Sequence, residues 1–265
     1  MTALVRAEWL KLRTTAAPWV LAGLAAVVTA LLVVVIFRTQ GGTLAPSSGN
    51  GPPTFVGSGV PQTAQQLRNL AASCYECDLF ALLIGVVCVT ADFRHKTVTA
   101  AFLASPRRWR LIGAKLLTAA LVGAALAVAL LAGTLLGGGL ALDAEGGSFA
   151  ALARQVPAVA PGVVLVFALF AVLGVGVGSL LTNQVAAIIV SLGWFLVLEG
   201  ILIALVHGAA RWVPSGAAEA AADVTRGQGH LYGLFTWWQG ALLLLLYGAV
   251  FAAAGSAVVA RRDVT

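Results

Sequence analysis

Charged residues are scarce in this 265-residue chain, in which 60% of the residues are hydrophobic and 10% are charged. A soluble globular domain typically carries about 25% charged residues, and it needs polar groups to cover its surface. Disorder is excluded as well, because disordered chains combine low hydrophobicity with high charge. The composition therefore predicts an all-α polytopic membrane protein, in which the formal net charge of +6 reports topology and not nucleic-acid binding.

The chain also has few residues that carry catalytic or metal-binding chemistry. Its one Lys-Thr pair, Lys96-Thr97, follows His95 where an ATP-binding loop would have glycine, and Thr90 stands at the first glycine position of such a loop. The three histidines are scattered along the chain, and no nucleophile pairs with a base. We therefore expect no catalytic site, no metal site and no cofactor in this chain.

Long uncharged stretches predict six transmembrane helices, because about 20 apolar residues cross a bilayer. The uncharged run over 155–198 is too long for one crossing, and Thr182-Asn183-Gln184 divides it. The second span reaches spanning length only if Ala71 to Asp78 forms its polar outer turn. The predicted spans of this single transmembrane domain, residues 1–265, are residues 17–37, 72–91, 111–139, 157–181, 185–206 and 237–259.

Basic residues predict the orientation of these spans. With the N-terminus in the cytoplasm, eleven of the sixteen Lys and Arg residues lie on the inner side and five on the outer side. Six spans return the C-terminus to the cytoplasm. The outer segments are then a loop over 38–71 and a polar hairpin over 207–236. The loop is rich in Gly, Pro and Ser at 41–61, and Gln62 to Leu70 predicts a polar helix start that leads into the second span. Short interfacial or re-entrant helices are expected in the hairpin before the sixth span.

Two glycine pairs inside the spans, Gly133/Gly137 and Gly174/Gly178, have the small-xxx-small spacing that lets helices approach closely. Because the second pair lies inside a span, its Gly-x-Gly-x-Gly sequence is not a dinucleotide fingerprint. We expect both pairs to be helix contacts.

Three further side chains stand out in the spans. Cys74 and Cys77 lie at the outer end of the second span, where the compartment permits oxidation, and they form either a disulfide or two free thiols. Glu199 is the one acid well inside a span, where a carboxylate is costly and needs a role or a partner. We expect Glu199 on a substrate path, at a dimer seam, or protonated and bonded to a neighbouring helix.

Residues 2–13 predict a short basic helix ahead of the first span. Val5, Trp9 and Leu12 share one face at helical spacing, which suits a helix that lies in the inner membrane interface with its indole at the headgroups. The alternative is a plain basic flank that only fixes topology.

The loop over 92–110 is the only substantial loop on the predicted inner side. It contains a short predicted helix over 92–104 with large apolar side chains, the knobs, and neighbouring charged residues. The knobs are Phe93, Phe102 and Leu103, and the charges are Arg94 and Lys96. A solvated loop does not need phenylalanines, so the pattern favours docking to a cytoplasmic partner. The alternative is that these rings only contact lipid.

Two motifs together resemble those of bacterial membrane (permease) subunits of type-2 ATP-binding-cassette (ABC) exporters. The segment Glu8-Trp9-Leu10-Lys11-Leu12-Arg13-Thr14-Thr15 is similar to the amphipathic connecting helix of that family. The segment Asp92-Phe93-Arg94-His95-Lys96-Thr97, followed by Ser105-Pro106-Arg107-Arg108 and Lys115, is similar to its loop between the second and third spans. Glu often replaces Asp92 in the family, and Gly often replaces Lys96.

The resemblance implies a coupling helix over 92–104 that docks on a separate cytoplasmic ATPase subunit, which binds ATP and Mg. The implied ATPase-coupling residues are Asp92, Phe93, Arg94, Lys96, Thr97, Phe102 and Leu103, and the connecting-helix residues are Glu8, Trp9, Lys11 and Arg13. A second copy of the chain or a homologous permease would complete the assembly in the bacterial inner membrane. The nearly uncharged spans favour an amphipathic or lipid-like cargo, such as a drug, a lipid or a natural product.

Two other functions are compatible with the sequence. A membrane anchor or sensor subunit that does not transport would also use the loop over 92–104 to hold a cytoplasmic partner. An ion-coupled carrier would work without ATP and would use Glu199 as its proton site.

Overall fold

The computed structural model describes residues 2–39, 43–45, 54–56, 61, 63–94, 108–181, 183–206, 208–222 and 235–261. Over these residues the chain is helical apart from one small hairpin. Six helical segments are long and apolar enough to cross a membrane. The predictions of a helical, multi-pass membrane protein and of about six spans are thereby confirmed.

The helices follow one another with short breaks. In chain order they are α1 (Thr2–Thr14), α2 (Ala16–Thr39), α3 (Ala64–Ala72), α4 (Asp78–Arg94), α5 (Arg108–Ala144), α6 (Phe149–Ala153), α7 (Val156–Leu180), α8 (Gln184–Gly193), α9 (Glu199–Leu205), α10 (Pro214–Ala221) and α11 (Trp237–Arg261). A 3₁₀ turn over Ser73–Cys77 joins α3 to α4, a π-helical turn over Trp194–Leu198 joins α8 to α9, and a 3₁₀ turn over Ala209–Arg211 precedes α10. Strands β1 (Thr43–Ala45) and β2 (Thr54–Val56) pair antiparallel.

The second span starts earlier than the sequence analysis placed it. The Thr63 side chain accepts a hydrogen bond from the Gln66 backbone N–H, and the Gln66 side chain accepts one from the Thr63 N–H, so a capping box starts α3. The segment over 71–78 is not a polar outer turn, because most of its residues are buried in the core. The continuous spanning segment is Ala64–Arg94.

Helix α7 is the centre of the bundle and packs against α4, α5 and α11. Glycine allows its backbone to approach that of α4: a Cβ at Gly174 would overlap the carbonyl oxygen of Leu82, and one at Gly85 would overlap that of Ala171. The expected contact through Gly174/Gly178 is therefore present. Among the described residues of one chain the expected contact through Gly133/Gly137 is absent, since a Cβ at either position would meet nothing within 4 Å.

The spans differ in how much of their surface the chain itself covers. In the apolar stretch of the second span 72% of the residues are buried, whereas the share is 17% in the first span and 11% in the fifth. The fifth span, formed by α8, the π-helical turn and α9, carries large exposed side chains such as Val185, Ile189 and Leu196. Lipid or another subunit must therefore cover the outer faces of the first and fifth spans.

Candidate functional site

Four charged side chains from three helices meet where α1, α4 and α5 converge, and we call Glu8, Lys11, Asp92 and Lys115 the charged cluster. Lys115 Nζ lies 2.8 Å from Glu8 Oε2 and 2.5 Å from Asp92 Oδ2. Lys11 Nζ lies 2.9 Å from Glu8 Oε1 and 3.4 Å from Asp92 Oδ1. Each lysine thus bridges both carboxylates, and the four formal charges cancel.

Most of the charged cluster is withdrawn from solvent. Glu8 is 3% exposed, and Asp92 and Lys115 are each 7% exposed. The third acceptor of the Lys115 ammonium is the backbone carbonyl of Cys88 at 3.3 Å, so each of its three N–H groups has a partner. Buried charges persist only when they are paired and hydrogen-bonded, which makes each member of the cluster depend on the others.

Helical spacing explains how the sequence builds the charged cluster. Glu8 and Lys11 are three residues apart on α1, so they lie on one face of that helix. Cys88 and Asp92 are four residues apart on α4 and lie on one face as well, at the end of the second span. Lys115 lies two turns into α5, at the start of the third span.

The structure brings some of the predicted site residues together and separates others. Glu8, Lys11 and Asp92 lie in the charged cluster, whereas Trp9 and Arg13 line a crevice between α1, α2 and α5. The remaining predicted positions are as follows: Phe93 is half-buried against the core, Arg94 is exposed with Nη1 3.4 Å from Gln184 Oε1, and Lys96, Thr97, Phe102 and Leu103 lie outside the described residues.

Lys115 was not among the predicted site residues. The sequence analysis placed it in the loop motif but did not name it as a coupling residue. Its signal was available in the sequence, since a lysine two turns inside an apolar helix needs a buried partner. The sequence did not identify Glu8 as one of its two carboxylate partners, because Glu8 is 107 residues away along the chain.

Glu199 lies directly after the π-helical turn and is 2% exposed. Its Oε1 accepts a hydrogen bond from the Trp194 indole N–H at 2.9 Å, and its Oε2 accepts one from the Ser215 backbone N–H at 3.3 Å. Ser215 is the second residue of α10, whose first residue, Pro214, has no N–H to offer. Glu199 therefore caps α10 from the fifth span and bonds within the chain to a neighbouring helix.

A cavity of about 630 Å³ lies between the fourth, fifth and sixth spans, beside Glu199. Aromatic rings of Trp194, Phe195, Trp212, Tyr247 and Phe251 contribute to its walls. The Tyr247 hydroxyl donates to the Trp212 backbone carbonyl, and the Trp194 N–H is engaged by Glu199. The cavity therefore offers mainly aliphatic and aromatic surface, which suits an apolar group of drug or lipid size.

Cys74 and Cys77 are free, buried thiols, so the disulfide that the sequence permitted is not formed. The 3₁₀ turn directs Cys77 towards α2, where its Sγ lies 3.2 Å from Thr29 Oγ1 and 3.6 Å from the Ala25 carbonyl oxygen. Both cysteines belong to the packed core and not to a water-facing turn. In the part of the chain that the structure describes, no group of three His, Cys, Asp or Glu side chains is placed to hold a metal ion.

No family model matches this chain, and no curated protein matches it.

Proposed function

We propose that this chain is the permease subunit of a type-2 ABC exporter and that a separate cytoplasmic ATPase subunit, which binds ATP and Mg, powers it. One observation carries this proposal. The charged cluster ties the end of α4 and the start of α5 to α1, and these two helix ends flank the segment in which the coupling helix over 92–104 is expected. A displacement of that segment would reach three helices at once.

The proposed coupling step is a rigid-body movement. When ATP closes the two ATPase subunits, they push on the segment over 92–104. Because Lys115 holds Asp92 and Glu8 together, α4, α5 and α1 move as one unit. The close backbone contact at Gly174 then carries the movement from α4 to α7. Such packed units switch between discrete arrangements and do not deform continuously.

The cavity beside Glu199 supports an amphipathic or lipid-like cargo, since its walls are mostly apolar and its volume is about 630 Å³. The exposed first and fifth spans support a second copy of the chain, or a homologous permease, as the membrane partner. The bias of basic residues supports a cytoplasmic location for α1 and the charged cluster, in a bacterial inner membrane.

Neither alternative function is favoured by the described geometry. Both carboxylate oxygens of Glu199 accept hydrogen bonds within the chain, which does not suit a site that must release and rebind an ion. A non-transporting anchor or sensor subunit would hold a cytoplasmic partner through the loop over 92–104, but it would not need helices joined across both ends of that segment.

Co-purification tests the proposal. The full chain is co-expressed with the protein of a neighbouring reading frame that carries the ATP-binding sequence GxxxxGK followed by Ser or Thr. The complex is solubilised and captured on a tag, and we expect that ATPase in the eluate. Phe102→Asp should abolish capture, because a charge would replace a docking ring. Leu140→Asp, at an exposed site at the opposite end of α5, should leave capture intact. Full capture and ATP-dependent export with Phe102→Asp would refute the coupling assignment.

A further inference from the structure

A crevice of about 410 Å³ opens between α1, α2 and α5, and we call it the α1 crevice. Its inner walls are aliphatic and include Leu12, Ile84, Val122 and Leu126. These side chains continue the apolar surface of the spans, so the depth of the α1 crevice suits a hydrocarbon chain and not a polar ligand.

The mouth of the α1 crevice carries two indoles and a guanidinium. Trp9 is 42% exposed and Trp19 is 63% exposed, and the Trp19 indole N–H donates to the Arg13 backbone carbonyl at 2.9 Å. Tryptophan is enriched at the depth of the lipid headgroups, where an apolar ring and a polar N–H are both satisfied. The mouth of the crevice therefore lies at headgroup depth and its slot runs into the acyl region.

Arg13 is an exposed cation at this mouth. Over the residues that the structure describes, no carboxylate lies within 4.0 Å of its guanidinium. Glu8, the acid on the same helix, is already shared between Lys11 and Lys115 in the charged cluster. An unpaired guanidinium above an apolar slot is complementary to a molecule with an anionic head and a hydrocarbon tail.

We propose that the α1 crevice binds one anionic phospholipid from the leaflet on the α1 side of the membrane. Its phosphate lies against the Arg13 guanidinium between the two indoles, and one acyl chain occupies the slot. Lipid bound in this way packs against the side of α1 that carries Trp9 and Leu12, next to the face that carries Glu8 and Lys11. The proposal does not depend on the transport function.

Quenching of tryptophan fluorescence by brominated lipid tests this site. The full chain is reconstituted in phosphatidylcholine vesicles that contain increasing fractions of phosphatidylglycerol brominated on its acyl chains, and brominated phosphatidylcholine serves as the parallel series. We expect quenching by phosphatidylglycerol to saturate at a lower lipid fraction. Replacing Trp9 and Trp19 by Phe should remove the part of this excess quenching that comes from the crevice mouth and leave the signal of the other five tryptophans.

Arg13→Gln should raise the phosphatidylglycerol fraction at half-saturation about fivefold. Arg6→Gln removes the same charge from an exposed site two turns away on α1, outside the α1 crevice. This control variant should change the phosphatidylglycerol fraction at half-saturation less than twofold. Equal effects of the two variants would show general charge attraction and overturn the site. Equal quenching by the two lipids in the unmodified chain would overturn it as well.

Two further variants test the binding of the acyl chain in the α1 crevice separately from the contact of the phosphate with Arg13. Ala125→Phe fills the crevice wall, whereas Ala132→Phe adds the same ring to another exposed position on α5, two turns further along. We expect Ala125→Phe to abolish the excess quenching by phosphatidylglycerol and Ala132→Phe to retain it. Retention in both variants, or loss in both, contradicts an acyl chain in the α1 crevice.

Discussion

Lys115 is the residue on which the charged cluster depends, because it is the buried cation between two buried carboxylates. Lys11 contacts the same carboxylates, yet its side chain is 46% exposed, against 8% for Lys115. Water can replace the contacts of Lys11 but not those of Lys115. The two lysines therefore provide a matched pair for measuring what burial adds to an ion pair.

We predict that Lys115→Met destabilises the chain by about 3–5 kcal/mol, since it leaves the Glu8 and Asp92 carboxylates buried next to each other with one partly exposed lysine. The free energy of unfolding in mixed micelles, as SDS is added to a mild detergent, measures this loss. Lys11→Met is the control and should cost about 0–1 kcal/mol, because its contacts are partly exposed.

A second variant shows whether charge or packing causes the loss. Combining Lys115→Met with Glu8→Gln and Asp92→Asn removes both buried carboxylate charges and should recover most of the lost stability. Similar losses for Lys115→Met and Lys11→Met, or no recovery in the combined variant, would contradict the role of the charged cluster.

At the residue scale the sequence identified three members of the charged cluster, but it did not predict that they meet. Glu8, Lys11 and Asp92 were singled out through the two motifs, and their spacing on α1 and α4 follows from helix geometry. The contact of Glu8 with Lys115 is a tertiary contact across 107 residues, which no local pattern encodes. Likewise, the Cys74/Cys77 spacing allowed a disulfide, and only packing decides that Cys77 faces Thr29.

At the scale of helices, glycine spacing alone did not identify which faces pack. Gly133/Gly137 and Gly174/Gly178 have the same spacing, yet only the second pair faces another helix. The reason is physical: spacing places two small residues on one face, and the packing of all the other helices decides which way that face turns. The start of α3, in contrast, depends on a local signal. The capping box of Thr63 and Gln66 lies within the polar helix start that the sequence predicts before the second span.

We predict that Gly174→Ala destabilises the bundle by about 1–3 kcal/mol, because the added methyl group meets the Leu82 backbone carbonyl and α4 must move away from α7. Thermal unfolding of the detergent-solubilised protein measures the effect. Gly133→Ala is the control, since its methyl group meets nothing within 4 Å and alanine favours the helix. A lower unfolding temperature for Gly133→Ala than for Gly174→Ala would contradict the packing described for α7.

At the scale of the whole molecule, length and hydropathy were sufficient to predict a helical multi-pass protein with six candidate spans, because the bilayer imposes its thickness on each apolar run. The differences in burial were not predictable, since the second and sixth spans have similar mean hydropathies of 1.8 and 1.6, yet 72% and 22% of their apolar stretches are buried. The exposed fifth span beside a cavity is the feature that a second subunit or lipid must cover.

ATP-dependent transport by the reconstituted complex is the most direct test of the proposed function. The full chain and the ATPase that co-purifies with it are placed together in proteoliposomes, and movement of a fluorescent lipid-like probe across the bilayer is followed on addition of ATP and Mg. We predict probe movement that requires both proteins and is lost with Phe102→Asp. A complex that forms and hydrolyses ATP, yet moves no probe from a panel of amphipathic and lipid-like compounds, would contradict an exporter and indicate an anchor or sensor.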